Sequence, residues 1–312
     1  MIFHHLKYIS PVWYFNLKPK LDHAYFPDAA LLDAEGISLD PDPNYVTEEA
    51  RSRDLAYRAF QLGFISIKAT ATPGKFWEVP QLPAADEYRF LRKNFSKVWV
   101  VYVLIIRILS FKNPIKEISG FLKSRNAKRD FYHKNPIKYT AYNTFDSPLV
   151  KAQPMVTVVI PTLNRYVYLK DVFRDLEKQT YKNFEVIVVD QTDPFDATAY
   201  EGWNLNLKFW YQAEKALWKA RNEAIQAAKG DYILLYDDDS LVEPDWIEQH
   251  LKTLDFFKAD LSSGVSISTV GAKVPAHYSY FRWSDQLDTG NVLLKKSIFE
   301  TIGLFDTIFE KQ

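Results

Sequence analysis

Through the second half of the chain, short aliphatic runs ended by polar residues alternate with helical stripes. Residues 156–160 read Val-Thr-Val-Val-Ile and stop at Pro161, the mark of a buried strand. The polar stretch Thr162-Leu163-Asn164-Arg165 follows. Leu169, Val172, Phe173 and Leu176 then recur at i, i+3, i+4 and i+7, which predicts a helix. Residues 184–189 form a second β-rich run, ended by Asp190. A second helix is expected over about 216–228, with Leu217, Ala220, Ala224 and Ala227 on one face and Gly230 as its stop. Residues 232–236 make a third short strand. Strand–helix–strand followed by helix–strand predicts an α/β domain, with a mostly parallel sheet and helices on both faces. Ligands of such sheets sit beyond the carboxyl ends of the strands. Asn164, Asp190 and the residues after Tyr236 all fall there.

Those last residues are Asp237, Asp238 and Asp239. Three adjacent acids repel one another, and a strand tip gives no reason to gather them. A hard divalent cation does, because Mg²⁺ or Mn²⁺ takes oxygen ligands and often combines one or two carboxylates with substrate phosphates. An acidic surface turn is the competing reading.

Taken in order, Val158-Val159-Ile160-Pro161-Thr162-Leu163-Asn164-Arg165, Gln179-Thr180-Tyr181, Val188-Val189-Asp190, Ala220-Arg221-Asn222, Gly230-Asp231-Tyr232 and the Asp triplet resemble the family 2 glycosyltransferases of GT-A (Rossmann-like) fold. The resemblance covers about residues 153–312. It implies a hexosyltransferase that moves a sugar from a nucleotide-sugar donor, UDP-linked in the first instance, to a saccharide or lipid-linked acceptor. Transfer would proceed with inversion, by metal-assisted direct displacement, in a setting of polysaccharide and cell-envelope synthesis. Pro161, Thr162, Asn164, Asp190, Arg221, Asp237, Asp238 and Gly290 are the donor-binding residues it implies. Asp239, with Asp237, is the implied ligand set for Mn²⁺ or Mg²⁺. Chemically, Asp190 suits the N–H of a uracil-type base, or else a turn or helix cap. The Arg221 fork suits phosphate or base oxygens, or else a helix surface. Gly290 allows close backbone approach, or else simply opens a turn. Two departures from the family pattern touch the nucleotide pocket: Gln191-Thr192-Asp193 after Asp190, and Ala216 where a glycine is usual. The landmark Gly303-Leu304-Phe305-Asp306 is present. The acidic pair that supplies the family's general base is expected beyond Gln312, so the chain reads as a donor site without its base. A non-catalytic nucleotide-sugar-binding or scaffold protein is the alternative. A nucleotidyltransferase is disfavoured, because the loop after the first strand lacks glycine.

Residues 1–150 are expected to be an accessory region, with a linker over about 135–153 leading into the transferase domain at 154–312. Thr47-Glu48-Glu49 predicts a helix start. Leu55, Ala56, Ala59 and Phe60 are its expected buried face, and 64–67 reads as a strand. Residues 98–106 are nine apolar residues in a row, and a basic stretch runs from Lys112 to about 138. Nine residues do not span a bilayer. An apolar segment beside a basic one suits peripheral attachment to an anionic membrane surface over 98–138. A buried helix followed by a solvated basic linker is the other reading.

The chain has 312 residues, 47% apolar, enough for about two domains. Its formal net charge is zero, so nothing points to nucleic acid as a partner. There is no cysteine, which leaves no disulfide or thiolate site. The histidines His4, His5, His23, His133, His250 and His277 show no catalytic or zinc spacing and are expected to be structural or surface. No signal peptide is evident. The expected location is cytoplasmic, peripheral at the inner face of the membrane if 98–138 attaches.

Overall fold

The computed structural model describes residues 30–66, 82–131, 134–284 and 287–311. The readings on His4, His5, His23, His133, Ile67 and the amino-terminal start lie outside the described residues. The chain divides into two units, one of residues 1–138 with 275–283, the other of 139–274 with 284–312.

In the second unit, β1 (Val156–Thr162), β2 (Phe184–Asp190), β3 (Leu207–Tyr211), β4 (Tyr232–Tyr236), β5 (Leu261–Ser263) and β6 (Asn291–Lys295) form one sheet in the order β3-β2-β1-β4-β6-β5. β1 pairs in parallel with β2 and β4, and β2 with β3. β6 runs antiparallel to both β4 and β5. The mostly parallel α/β sheet that the alternation predicts is therefore present. β3 was missed in the sequence because Leu207-Lys208-Phe209-Trp210-Tyr211 is only half buried at the sheet edge and has no continuous aliphatic run. Val265, Ile267 and Val270 alternate with Ser266, Ser268 and Thr269 as a strand would, but residues 264–274 are irregular and these apolar side chains are exposed.

Helices cover both faces. Among them are α8 (Tyr166–Glu177) and α10 (Trp246–Phe257) on one side, α9 (Leu217–Ala227) and α11 (Ile298–Ile302) on the other. On the first side Leu169, Val172, Phe173 and Leu176 of α8, with Ile247, Leu251 and Leu254 of α10, pack on Val158, Ile160, Val186, Val188 and Leu234. On the other, Ala220 and Ala224 bring α9 close to Val159, Ile187, Val189 and Leu235. Each fully buried Val or Leu contributes about 1.5–3 kcal/mol by leaving water. Pro161 lacks a ladder donor, yet it is tolerated in the central strand. Pairing with β4 ends at Val159, so only β2 still borders β1 at the ring.

The stretch expected to be a linker is partly helical and docked. α6 (Thr140–Asn143) and α7 (Pro148–Ala152) lie on α10. The Tyr142 hydroxyl donates to Gln249 Oε1 (2.8 Å), and Ser147 Oγ and the Leu149 amide donate to Asp255 Oδ2 (2.6 and 3.0 Å). Tyr139, Tyr142 and Phe145 pack edge-on against Phe256. Aromatic burial and a carboxylate acceptor hold this segment where proline alone suggested a spacer.

The first unit contains α1 (Ala30–Ala34), α2 (Glu48–Gln61), α3 (Ala84–Asn94), α4 (Lys97–Leu109) and α5 (Pro114–Lys123). Thr47 caps α2 as its sequence predicts, accepting from the Ala50 amide. Residues 64–66 do not form the expected strand. Charge is buried throughout. Asp86 accepts from the Val46 and Thr47 amides and the Thr47 hydroxyl, at 2.6, 3.0 and 2.7 Å. Lys93 bridges Asp42 and Asp54, and Arg107 bridges Glu87 and Glu117. Among the described residues, no helix is long and apolar enough to cross a membrane.

Candidate functional site

The carboxyl ends of β1, β2 and β4 bring the sequence-named residues to one edge of the sheet. Thr162 ends β1, Asp190 ends β2, and Asp237, Asp238 and Asp239 follow β4. The three acids do different things. Asp238 is buried, accepts from Thr162 Oγ1 at 2.7 Å and pairs with Arg165 Nη1 at 3.1 Å. Asp239 takes the other contact of that guanidinium nitrogen at 2.5 Å. Asp237 pairs with Arg221 Nη2 at 3.1 Å. Burial pushes the Asp237 and Asp238 carboxyls above the ordinary carboxylate range. Arg221 partly offsets this at Asp237, and Thr162 and Arg165 do so at Asp238. The mutual repulsion expected of the triplet is therefore present and is met by two arginines.

Arg221 projects from α9 and is only 2% exposed. Besides Asp237 it donates to Thr289 Oγ1 (3.0 Å) and the Thr289 carbonyl (3.1 Å), and its guanidinium lies over the Trp218 ring. It ties the helix to the turn that carries Gly290. That turn presses on the acids: a Cβ at Gly290 would stand 2.1 Å from Asp237 Oδ2. Glycine is thus required by close approach to a carboxylate, a sharper reason than an ordinary turn supplies.

Asn164 lies in the exposed loop after β1 with φ of 58°, a left-handed conformation that asparagine tolerates. Its amide donates to Thr192 Oγ1 at 2.8 Å. Asp190 is fully buried. Its Oδ1 accepts from the Thr192 amide (2.8 Å), and its Oδ2 from the hydroxyls of Tyr166 (2.6 Å) and Tyr200 (2.7 Å). Burial, then the bond to Asp190, hold both tyrosine hydroxyls above their usual pKa, so they remain donors. Gln191 and Thr192, where the family pattern is broken, are also engaged: Gln191 Oε1 accepts from the Ala216 amide at 2.6 Å.

Beside the acids lies a cleft of about 500 Å³, lined by Tyr168, Asp171, Asp239, Val265, Ser268 and Gly290 among others. A buried network supports its floor. Trp246 Nε1 donates to Asn291 Oδ1 (3.0 Å), which marks that atom as an acceptor. His250 Nε2 lies 3.0 Å from the same oxygen and must therefore carry the proton, leaving Nδ1 to accept from Ser262 Oγ at 3.1 Å. Burial lowers the His250 pKa to about 4. Sequence reasoning gave no role to Arg165, Tyr166, Tyr200 or this network. Arg165 had a signal, since it directly follows Asn164 in the loop facing the acids. The tyrosines and His250 had none, because their partners lie far away in sequence.

The donor set can be tested against a divalent ion. Asp237 and Asp239 offer hard oxygens and are 45% and 42% exposed at the side chain. Among the described residues, no group of three acid or histidine side chains converges on one point. A Mg²⁺ or Mn²⁺ bound by two carboxylates would need phosphate oxygens to complete its shell.

Residues 157–307 match the family model described as glycosyl transferase family 2. EpsH of Bacillus subtilis (strain 168) is 32% identical over 104 residues, 32% of this chain and 30% of that protein. Glycosyltransferase GlyA of Streptococcus pneumoniae serotype 4 is 25% identical over 164 residues, 50% of this chain and 22% of that protein. The chain spans less than a third of the length of either relative. Among solved structures, TarS of S. aureus is 22% identical with a TM-score of 0.44, over 50% of this chain and 31% of that one. The similarity to glycosyl transferase family 2 thus extends over residues 157–307, just under half of this chain.

Proposed function

We propose that the second unit binds a nucleotide-sugar donor at the carboxyl ends of β1 and β4, as the donor side of an inverting sugar transfer to a hydroxyl acceptor whose proton goes to a general base that these residues do not supply. The observation that supports this reading is the pairing of the three acids with Arg165 and Arg221, with Gly290 pressed against Asp237. A donor brings two phosphates, and a divalent cation held by Asp239 and Asp237 would neutralise charge on the departing diphosphate. Arg221 is buried and fixed by Thr289, so it is preorganised to stabilise that charge with little movement. Arg165 is half exposed and pairs with Asp238 and Asp239. A cation held by Asp239 would leave the Arg165 guanidinium available to a phosphate. Asp238 stays with Thr162 and positions the loop. Gly290 lets its turn close against Asp237, and that turn would line the donor's sugar side. Pro161, Thr162 and Asn164 shape the loop over the nucleotide.

The base reading centres on Asp190. Its oxygens are already engaged, so a base N–H reaches it where the Tyr166 hydroxyl swings aside. UDP is the first donor nucleotide to test on that ground. Turnover is measured as nucleoside diphosphate released from UDP-, GDP- and dTDP-linked sugars with Mn²⁺ or Mg²⁺. The expected result is release from one nucleotide class, lost on chelation and in Asp237→Asn. Release that survives both changes contradicts the proposal.

A further inference from the structure

The outward face of α4 and α5 inverts the usual arrangement of a soluble unit. α4 buries Val100, Val103 and Arg107 and packs Val100 and Val103 against Tyr88 and Leu91. On its opposite side Val98, Val101, Ile105 and Ile108, spaced i, i+3, i+7 and i+10, are exposed. Leu109 extends the stripe, and Ile115, Ile118 and Leu122 repeat it along α5. Trp99 and Tyr102 sit beside it in edge-to-face contact, the residue types that favour a polar–apolar boundary.

Between the two helices stands Phe111. It is 99% exposed and has φ of 58°. It occupies the left-handed position after a helix end, its amide donating to the Ile108 carbonyl and that of Lys112 to the Arg107 carbonyl. Glycine is favoured there, and a bulky aromatic is strained. Strain combined with full exposure is uncompensated within the unit.

The charge flanking the stripe in sequence is mainly basic, and Asp130, the exposed acid within it, pairs with Arg58. Lys97, Lys112, Lys116, Lys123, Arg125, Lys128 and Arg129 are exposed, and none makes a salt bridge among the described residues. The acids of α3 and α5 nearest this face, Glu87 and Glu117, are consumed by Arg107. We propose that the outer face of α4 and α5, with Phe111 between them, docks on an anionic lipid bilayer, its apolar stripe seated in the headgroup boundary. A second copy of the chain fits less well, because a self-complementary contact would oppose the same lysines and arginines to one another. α4 has 13 residues, about 20 Å of helix against the ~30 Å of a hydrocarbon core. It lies in the interface and does not cross it. The proposal does not depend on the reading of the transferase site.

The test is sedimentation of the full chain with vesicles of phosphatidylcholine alone and of phosphatidylcholine with phosphatidylglycerol. Binding is expected only to the anionic vesicles, with release at 1 M salt, where screening shortens to ~3 Å. Phe111→Gly removes the side chain and suits the backbone, so its unfolding temperature should hold or rise while its vesicle affinity falls about tenfold. Ile115→Ser should weaken binding in the same direction. Equal binding to both vesicle types, no binding to either, or unchanged affinity in Phe111→Gly would overturn the proposal. A concentration-dependent dimer abolished by Phe111→Gly would assign the face to a second copy and overturn it equally.

Discussion

The two units bury opposite things. The second hides aliphatic side chains on both faces of its sheet and gathers its consequential charges at the strand ends. The first hides Arg53, Asp54, Asp86, Lys93, Arg107 and Glu117, and leaves a row of valines, isoleucines and leucines in solvent. Burial of charge is costly unless each group is paired and hydrogen-bonded. The first unit meets that cost with ion pairs and, at Asp86, with backbone amides; the second pairs buried Glu185 with Lys208 and gathers Asp190, Arg221 and Asp238 at the strand ends, where two arginines meet the repulsion of the acids. An exposed apolar row and a concentrated acidic edge are both departures from an ordinary folded surface. Each points outward, one to a surface partner and the other to a charged ligand.

The sharpest way to break this comparison is with substitutions of equal chemistry in the two places. Leu235→Ala removes a fully buried side chain from β4 and should cost about 2–5 kcal/mol in urea unfolding. Ile105→Ala removes an exposed one and should change stability by less than about 0.5 kcal/mol. Similar losses at both positions would mean that the α4 face is covered in the folded chain.

Next in size is the buried polar frame of the first unit. Asp86→Ala strands two backbone amides and a hydroxyl and should destabilise by about 3 kcal/mol, since each lost partner costs about 1–3. A loss below about 1 kcal/mol in thermal unfolding would show that these donors find water instead.

In the second unit, His250 links stability to pH. Its pKa is about 4 in the folded chain against a free value of 6.5. Between these values the unfolded chain binds the proton and the folded chain does not. Stability should therefore fall as pH drops from about 6.5 to 4, by on the order of 3 kcal/mol in total. His250→Gln should flatten that part of the profile. A wild-type profile that is already flat over this window would contradict the buried neutral imidazole.

How much of this was legible in the sequence depends on where the partners lie. β1, β2, β4, α8 and α9 were readable because their buried faces repeat at short, local spacing. β3 escaped because an edge strand needs no aliphatic run. The docking of α6 and α7 depends on Gln249 and Asp255, about a hundred residues away, which no local pattern reveals. In the site, the acids and Arg221 stood out by type and position. The enclosure of Asp190 by Tyr166, Thr192 and Tyr200 did not, because hydroxyl direction is set only by the folded loops. For 98–106 the sequence favoured a buried helix over a surface anchor, and the structure buries one side of the helix and exposes the other.

As proposed, the acidic edge would hold a nucleoside diphosphate through a divalent cation. Titration calorimetry of UDP into the folded chain, with Mn²⁺ and then with chelator, tests it most directly, with GDP and dTDP alongside. Asp239→Asn removes a ligand charge with little change of shape at a side chain that is 42% exposed, so its unfolding midpoint should match the wild type. The account predicts Mn²⁺-dependent binding of one nucleotide by the wild type, lost with chelator and in Asp239→Asn. Binding that is indifferent to metal and to Asp239, or no binding of any nucleoside diphosphate by the folded chain, would contradict it.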